Sequence, residues 1–493
     1  MEKKALSSNM QKKFFSNLLL MLVLNLLVKP ISIFGIDTGV QNRVGSEAYG
    51  LYFTLLNLSF LFNILLDVGI NNFTTKNVAQ YPHIVSRYMG KMLSFRFILF
   101  AVYALITFLA AFFLGFEKAN IGMLFLLVVN QFMAILIAYI RSHFAGWLYF
   151  RLDAIFSVLD RLLLIFLCGS VFWWSNYGYP FQIEWFVWLQ TLSYGLSLIL
   201  AYWVLNRKIG RPKIKFDWVF SMAILRKSLP YALLILFMML YTRMDSIMLE
   251  RLHPNGAHET GIYAQGFRLL DAFFMFGMIF TGLLLPLFTY QMKDRVENLK
   301  LLKLASQLLV GGAILVGFLC YFNAEIILSA IYKNDIEATI PAFRWLMISF
   351  TAMGISLIFG TYLTAAHEMR FLNRLAFAGI VINFGFNFYW IPQYGAEGAA
   401  WTALLTQSAI AVFQAAFVIR NFGFSDFKKY ILQFSVYIAG LWIGLQILHP
   451  YLPYPLLVEL IIGLILLMVS GLWSPREIIE LILKRNQIGD VIE

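Results

Sequence analysis

Cysteine, histidine and charge are all scarce in this 493-residue chain, and each scarcity removes a class of function. The two cysteines, Cys168 and Cys320, both sit inside apolar runs, so no disulfide or zinc framework is written here. The six histidines (His83, His143, His253, His258, His367 and His449) are scattered without ligand spacing, and no metal site is expected. No G-x-x-x-x-G-K-[ST] segment occurs, which speaks against an ATP-driven pump. Only 13% of residues are charged, where soluble chains carry about 25%.

Apolar residues fill the space that charge leaves. They make up 60% of the chain, with 48 Phe, 24 Tyr and 12 Trp, and mean hydropathy is +0.75. A single buried core stops growing at about 250–300 residues, so this excess has to face lipid. A spanning helix needs about 20 mostly apolar residues. That rule marks fourteen spans: 14–36, 48–69, 93–115, 119–140, 154–174, 184–205, 229–250, 261–290, 302–322, 341–364, 372–390, 397–419, 431–449 and 455–473. The expected fold class is an all-α polytopic membrane protein of about fourteen transmembrane helices.

Lys and Arg orient those spans, because cytoplasmic loops collect them. With the N-terminus inside, 29 of the 38 fall on the cytoplasmic side, and only Arg43, Lys118, Arg251 and Lys333 fall outside. Both ends are therefore expected on the cytoplasmic side of the membrane. The net charge of +12 follows from the same asymmetry and does not call for a nucleic-acid partner. The first apolar run lacks a small-residue cleavage site and is read as a retained span. The longest polar stretch, 206–228, is a basic linker with an apolar patch at Trp218, Val219, Phe220, Met222 and Leu225. It divides an N-terminal lobe, 1–205, from a C-terminal lobe, 229–419, followed by spans at 431–473 and a cytoplasmic tail at 474–493. In that tail Ser474, Pro475 and Glu477 have the pattern of a capped interfacial helix.

The two lobes share a short repeat: Gly50-Leu51-Tyr52 opens span two, and Gly261-Ile262-Tyr263 opens span eight, six spans later. A second signature runs from 382 to 407, I-N-F-G-F-N-F-Y-W-I-P-Q-Y-G-A-E-G-A-A-W-T-A-L-L-T-Q. Its Asn383, Asn387, Pro392, Tyr394, Gly395, Gly398, Ala399 and Ala400 resemble the spaced Asn pair and I-P-x-Y-G-x-x-G-A-A turn of bacterial polysaccharide (O-antigen, Wzx-type) flippases. These belong to the multidrug/oligosaccharidyl-lipid/polysaccharide (MOP) exporter superfamily. The segments Y-T-R-M-D-S-I-M-L (241–249), G-S-E-A-Y-G-L-Y (45–52) and L-L-D-V-G (65–69) are similar to further family positions, so the likeness covers roughly 15–420. Departures are His367-Glu368, where a Gly is common, and Trp401, where a small residue is usual. The resemblance implies two six-helix lobes around a central cleft, as in drug exporters of the superfamily, plus two C-terminal helices. It implies as substrate a polyprenyl-pyrophosphate-linked oligosaccharide, moved by alternating access for surface polysaccharide synthesis. Membrane lipids, a polysaccharide polymerase and glycosyltransferases of the same pathway are the implied partners. Physically, Pro392 and Gly395 read as a tight turn, and Gly398-Ala399-Ala400 as a close-packing face.

Charge inside the spans is the remaining signal. A cation at the bilayer centre costs about 2.5–3.5 kcal/mol on insertion scales, yet Lys29, Arg161, Arg243, Arg268 and Arg344 all fall within spans. Lys29, Arg243 and Arg268 lie about 10–12 Å below the surface at 1.5 Å per residue. Arg344, close to an end, is expected to snorkel. Lys29, Arg161, Arg243 and Arg268 are candidates to hold a pyrophosphate, whose oxygens Arg binds bidentately; internal ion pairing is the competing use. Asp160 and Arg161, adjacent on a helix, are expected to point apart and not to pair. Asp245, Asp271 and Asp67 are candidates for proton or sodium coupling, Asp67 lying nearest an interface. Trp173, Trp174, Trp185 and Trp188 fit an interfacial aromatic belt.

These features favour a lipid-linked oligosaccharide flippase with no cofactor. An ion-coupled drug antiporter of the same superfamily is the nearest rival, and a peptidoglycan-precursor flippase shares its chemistry. A polymerase or glycosyltransferase presents a carboxylate or base to the sugar. The longest expected outside loop, 323–340, offers only Glu325, Asp335 and Glu337, and the chain holds no D-x-D pair.

Overall fold

A computed structural model describes residues 20–21, 23–71, 74–75, 78, 85–175, 180–209, 216–423, 427–449 and 455–473. The basic start at 1–13, part of the basic linker and the capped tail from Ser474 lie outside the described residues. Among those described, regular structure is entirely helical. A bilayer enforces this, since every backbone N–H and C=O in hydrocarbon needs a partner within its own segment.

Residues 23–30 are helical and lead into a π-helical turn, Ile31–Asp37. The helices that follow are α1 (Thr38–Leu61), α2 (Ile64–Asp67), α3 (Val85–Phe113), α4 (Lys118–Gly146), α5 (Phe150–Phe156), α6 (Leu159–Ser175), α7 (Ile183–Ile209) and α8 (Trp218–Leu252). Then come α9 (Gly256–Gln291), α10 (Arg295–Phe322), α11 (Ala324–Ile331), α12 (Ile336–Ala365), α13 (Met369–Phe422), α14 (Phe427–Leu448) and α15 (Pro455–Val469). Eleven described helical stretches are long and apolar enough to cross a membrane. Two of them, Val23–Asp67 and Met369–Phe422, run to 45 and 54 residues, about twice the 20 that a crossing needs. Each carries a single non-helical glycine, Gly45 (φ 80°, ψ 171°) or Gly395 (φ 52°, ψ −129°). Counted as two crossings apiece, and joined by the shorter α15, the set reaches the fourteen expected.

The chain divides into two compact units, Met1–Gly261 and Ile262–Glu493. In the first, Met89, Met92 and Phe95 of α3 pack with Tyr139, Ile140 and Phe144 of α4 and Ala201 and Leu205 of α7. In the second, Val310, Ile314, Leu315 and Phe318 of α10 pack against Tyr437, Leu441 and Leu445 of α14 and Leu467 of α15.

The repeated glycines are a packing device. A Cβ on Gly50 would lie 1.8 Å from the Ala257 carbonyl oxygen, and one on Gly261 would lie 2.0 Å from the Ser46 carbonyl oxygen. Ser46 and Gly50 on α1 thus interlock with Ala257 and Gly261 on the first turns of α9, each a small-x-x-x-small pair. The contact is secured by Gln41 Nε2, which donates to the Gly261 carbonyl at 2.8 Å. Gly50→Ala and Gly261→Ala are each expected to lower the melting temperature of the purified protein, because overpacking costs about 1–3 kcal/mol. Gly122→Ala on α4, where a Cβ meets nothing within 4 Å, is expected to leave it unchanged.

Candidate functional site

Pro30 starts the site. It brings no N–H, and its ring pushes against the preceding turn; the helix answers with the π-helical turn that begins at Ile31. Such turns are frequent at functional positions. Lys29 stands immediately before the break, and Asp37 closes it. Asp37 is buried and accepts a 3.4 Å hydrogen bond from the Tyr49 hydroxyl.

Lys29 is half-buried, and Arg161 and Arg141 are the charges that oppose its ammonium most, with Asp160 acting the other way. Arg141 Nε donates to Asp153 Oδ1 at 2.7 Å. Arg161 Nε lies 3.5 Å from Asp160 Oδ2. That pairing corrects the expectation from helix geometry: the Cα–Cβ vectors diverge, but the arginine side chain is long enough to fold back. Arg161, Asp160 and Asp37 all lie near Tyr194 on α7, which places them around one region of the first unit. Among the described residues the Lys29 ammonium has no hydrogen bond or ion pair. The site thus gathers three cations, Lys29, Arg161 and Arg141, and three carboxylates, Asp160, Asp153 and Asp37, with Lys29 alone making no ion pair of its own among the three cations. Arg141 was not among the expected cations because it falls at a helix end, where hydropathy reads loop.

Of the other expected cations, Arg243 on α8 lies in the same unit, half-buried, its Nη1 3.5 Å from Asn57 Oδ1 and its guanidinium over the Phe60 ring. Asp245, two residues on, is 1% exposed. Arg268 and Asp271 are half-buried on α9 in the second unit. Arg344 donates from Nε to the Tyr321 carbonyl at 3.1 Å, next to the last residue of α10, and its guanidinium lies over that ring. Trp185 and Trp188 are exposed, whereas the side chains of Trp173 and Trp174 fall outside those described.

Asp67 is engaged. Val68 and Gly69 both take positive φ, turning the chain so that Asp67 meets Arg96 of α3 at 2.9 Å and accepts from the Asn71 backbone N–H. Arg96 is fully buried; it also donates to the Leu66 carbonyl and to Asn71 Oδ1, and stacks on Tyr139. The charge count had placed Arg96 with the cytoplasmic loops, so this correction turns a loop cation into a core one. In the 382–407 signature, Asn383 and Asn387 are fully buried, and Asn387 Nδ2 donates to Asn383 Oδ1 at 3.2 Å. The Pro392–Gly395 turn is tighter than expected, helical on both sides with Gly395 alone departing. A Cβ on Gly398 would lie 2.6 Å from the Trp390 carbonyl oxygen, so this glycine sets the approach of the two arms.

A family model described as polysaccharide biosynthesis protein matches residues 14–292, more than half of the chain. An uncharacterized membrane protein of Methanocaldococcus jannaschii is 24% identical over 406 residues, 79% of this chain and 92% of that protein. Among solved structures, the lipid II flippase MurJ in an inward closed conformation superposes with a TM-score of 0.67 at 15% identity, covering 95% of this chain and 100% of that one. An inward-facing multidrug resistance MATE transporter of the MOP superfamily gives 0.59 at 15% identity, over 79% and 94%. A Pyrococcus furiosus MOP transporter gives 0.59 at 12% identity, over 83% and 94%. The fold is therefore that of the MOP superfamily.

Breaking a buried ion pair on one side costs about 3–5 kcal/mol, whereas replacing both partners is close to neutral. Arg96→Leu is accordingly expected to destabilise the protein severely. The double variant Arg96→Leu/Asp67→Leu is expected to recover much of the loss, measured as melting temperature in detergent.

Proposed function

The chain belongs to the polysaccharide biosynthesis protein family, and from that premise we propose that it translocates a polyprenyl-pyrophosphate-linked oligosaccharide across the cytoplasmic membrane for surface polysaccharide synthesis. The observation that carries this reading is Lys29, a half-buried ammonium beside Arg161 and Arg141 and without a counter-ion among the described residues. An ammonium without an ion pair in a low-dielectric site repels a cationic drug and favours an anion, and Arg matches phosphate oxygens in pairs. On this reading Lys29 and Arg161 hold the pyrophosphate with Arg141 behind them, and Arg243 of the first unit and Arg268 of the second are further cations for the anionic headgroup. Coupling falls to Asp245 and Asp271, since the Asp67 carboxylate is occupied by Arg96 and Asn71.

The distribution of Lys and Arg supports both termini in the cytoplasm. The polymerase and glycosyltransferases of the pathway would stand on either side of this step. A drug antiporter would carry an excess of acid at this place, and here cations and carboxylates are equal in number.

Deletion in the native host tests the reading. Completed lipid-linked units are expected to accumulate while surface glycan is lost; truncated units would indicate an enzyme, and unchanged glycan with new drug sensitivity an antiporter. In the complemented strain, Lys29→Gln and Arg161→Gln are expected to reduce surface glycan by about tenfold or more, the equivalent of one lost charge-assisted contact. Lys29→Arg is expected to retain export. Full export by both Gln variants would remove the pyrophosphate assignment.

A further inference from the structure

Glu459 is a carboxylate in the middle of an apolar run, P-L-L-V-E-L-I-I-G-L-I-L-L-M-V, and its side chain is fully buried. Its Oε1 lies 2.7 Å from His449 Nδ1, at the end of α14, and its Oε2 accepts from Asn323 Nδ2, at the C-terminus of α10. The Asn323 amide also donates to the Leu319 carbonyl, which fixes its orientation and leaves its Oδ1 buried without a partner. Asn323 can therefore only donate to Glu459.

No Lys or Arg pairs with Glu459 among the described residues. Facing pair and neighbours are few: α10 brings Cys320 and Tyr321 on the turn below Asn323, and α11 carries an exposed Glu325. Arg344 of α12 is committed to the Tyr321 carbonyl. The other charged groups of α14 are Lys428 and Lys429, at its far end, and α15 has no second one.

A carboxylate beside a neutral imidazole would be an uncompensated charge in low dielectric, which costs several kcal/mol. One proton, held on the Oε1–Nδ1 edge, makes the cluster neutral overall. His449 is 29% exposed while Glu459 is 0% exposed, so the imidazole connects the buried carboxylate with the protein surface. We propose that Glu459 and His449, closed by Asn323, form a proton-binding site that clasps the α14/α15 hairpin to α10 while the proton is held. When the proton leaves, the clasp loosens. At the opposite end the hairpin is held by an uncharged bond, from Trp473 Nε1 to the Gln307 carbonyl at 3.1 Å. Between the two ends the contact is apolar, through Leu315, Leu441 and Leu467. One end is thus proton-dependent and the other is not.

Hydrogen exchange of peptides covering 455–469, on the full-length protein in lipid nanodiscs, reads the clasp directly. After correction for intrinsic rates, wild-type opening is expected to rise with pH by up to about tenfold per unit over part of the scanned range, as release of one proton requires. Glu459→Gln, which is neutral at every pH, is expected to give a flat profile with the hairpin protected. His449→Gln removes one host of the proton and is expected to move the opening to lower pH. A flat wild-type profile overturns the proposal, as does an unchanged slope in Glu459→Gln. Should that variant fail to assemble, coincident profiles of wild type and His449→Gln overturn it as well.

Discussion

The constraint on which this structure depends is the cost of an isolated charge in hydrocarbon. Arg96 meets it with four partners: Asp67, Asn71, the Leu66 carbonyl and the Tyr139 ring. Those partners come from α2, the following turn and α4, so the charge can be buried only after three segments have assembled around it. The positive φ values at Val68 and Gly69 are the local strain that this assembly sustains, at about 1–3 kcal/mol for the non-glycine residue. The ion pair and the elbow are one feature, since neither is favourable without the other.

Membrane helices gain little from hydrophobic contact with one another, because lipid is equally apolar, and they associate through close packing and polar contacts. The glycines provide the first. Ser46, Gly50, Ala257 and Gly261 bring two backbones together where any Cβ would strike a carbonyl, and Gly398 does the same against Trp390. The polar contacts then fall at the same places, as with Gln41 on the Gly261 carbonyl. Where the backbone must leave the helix, a single glycine at 45 or 395 absorbs the whole departure, so long helical rods are broken with little loss of hydrogen bonds.

Hydropathy made the spans legible because it reports exposure to lipid, which is a local property of about 20 consecutive residues. The C-terminal ends of α10 and α12 and the start of α15 fall within a residue of expectation for that reason. The small-residue spacing at Gly50 and Gly261 was legible as a repeat, though its reciprocal fit was not. Pairings remote in sequence left no trace in it. Asp67 and Arg96 are separated by 29 residues, and Asn323 and Glu459 by 136; no window that measures apolarity can join them. Arg141 stands one residue past the span expected at 119–140, and Arg96 only three residues into the one expected at 93–115, so both went with the cytoplasmic charge. The Asp160–Arg161 contact failed to be foreseen for another reason: the argument followed Cα–Cβ directions and left out side-chain length.

Lys29 has to be weighed against these solved cases. The fold supplies a carboxylate to Arg96, to Arg141 and to Arg161, each from a different segment, so failing to find one for Lys29 is not a limit of the architecture. The ammonium stands directly before Pro30 and the π-helical turn, where the normal ladder of the first helix is already interrupted. Two unfavourable features, a backbone irregularity and an unneutralised charge, therefore coincide within two residues. A sequence under selection for stability alone would remove both with a Pro30→Ala and a Lys29→Leu change. Their joint presence has a physical rationale if an anion completes the site, because the same proximity of Arg161 and Arg141 that disfavours Lys29 becomes attraction once two phosphate charges stand between them.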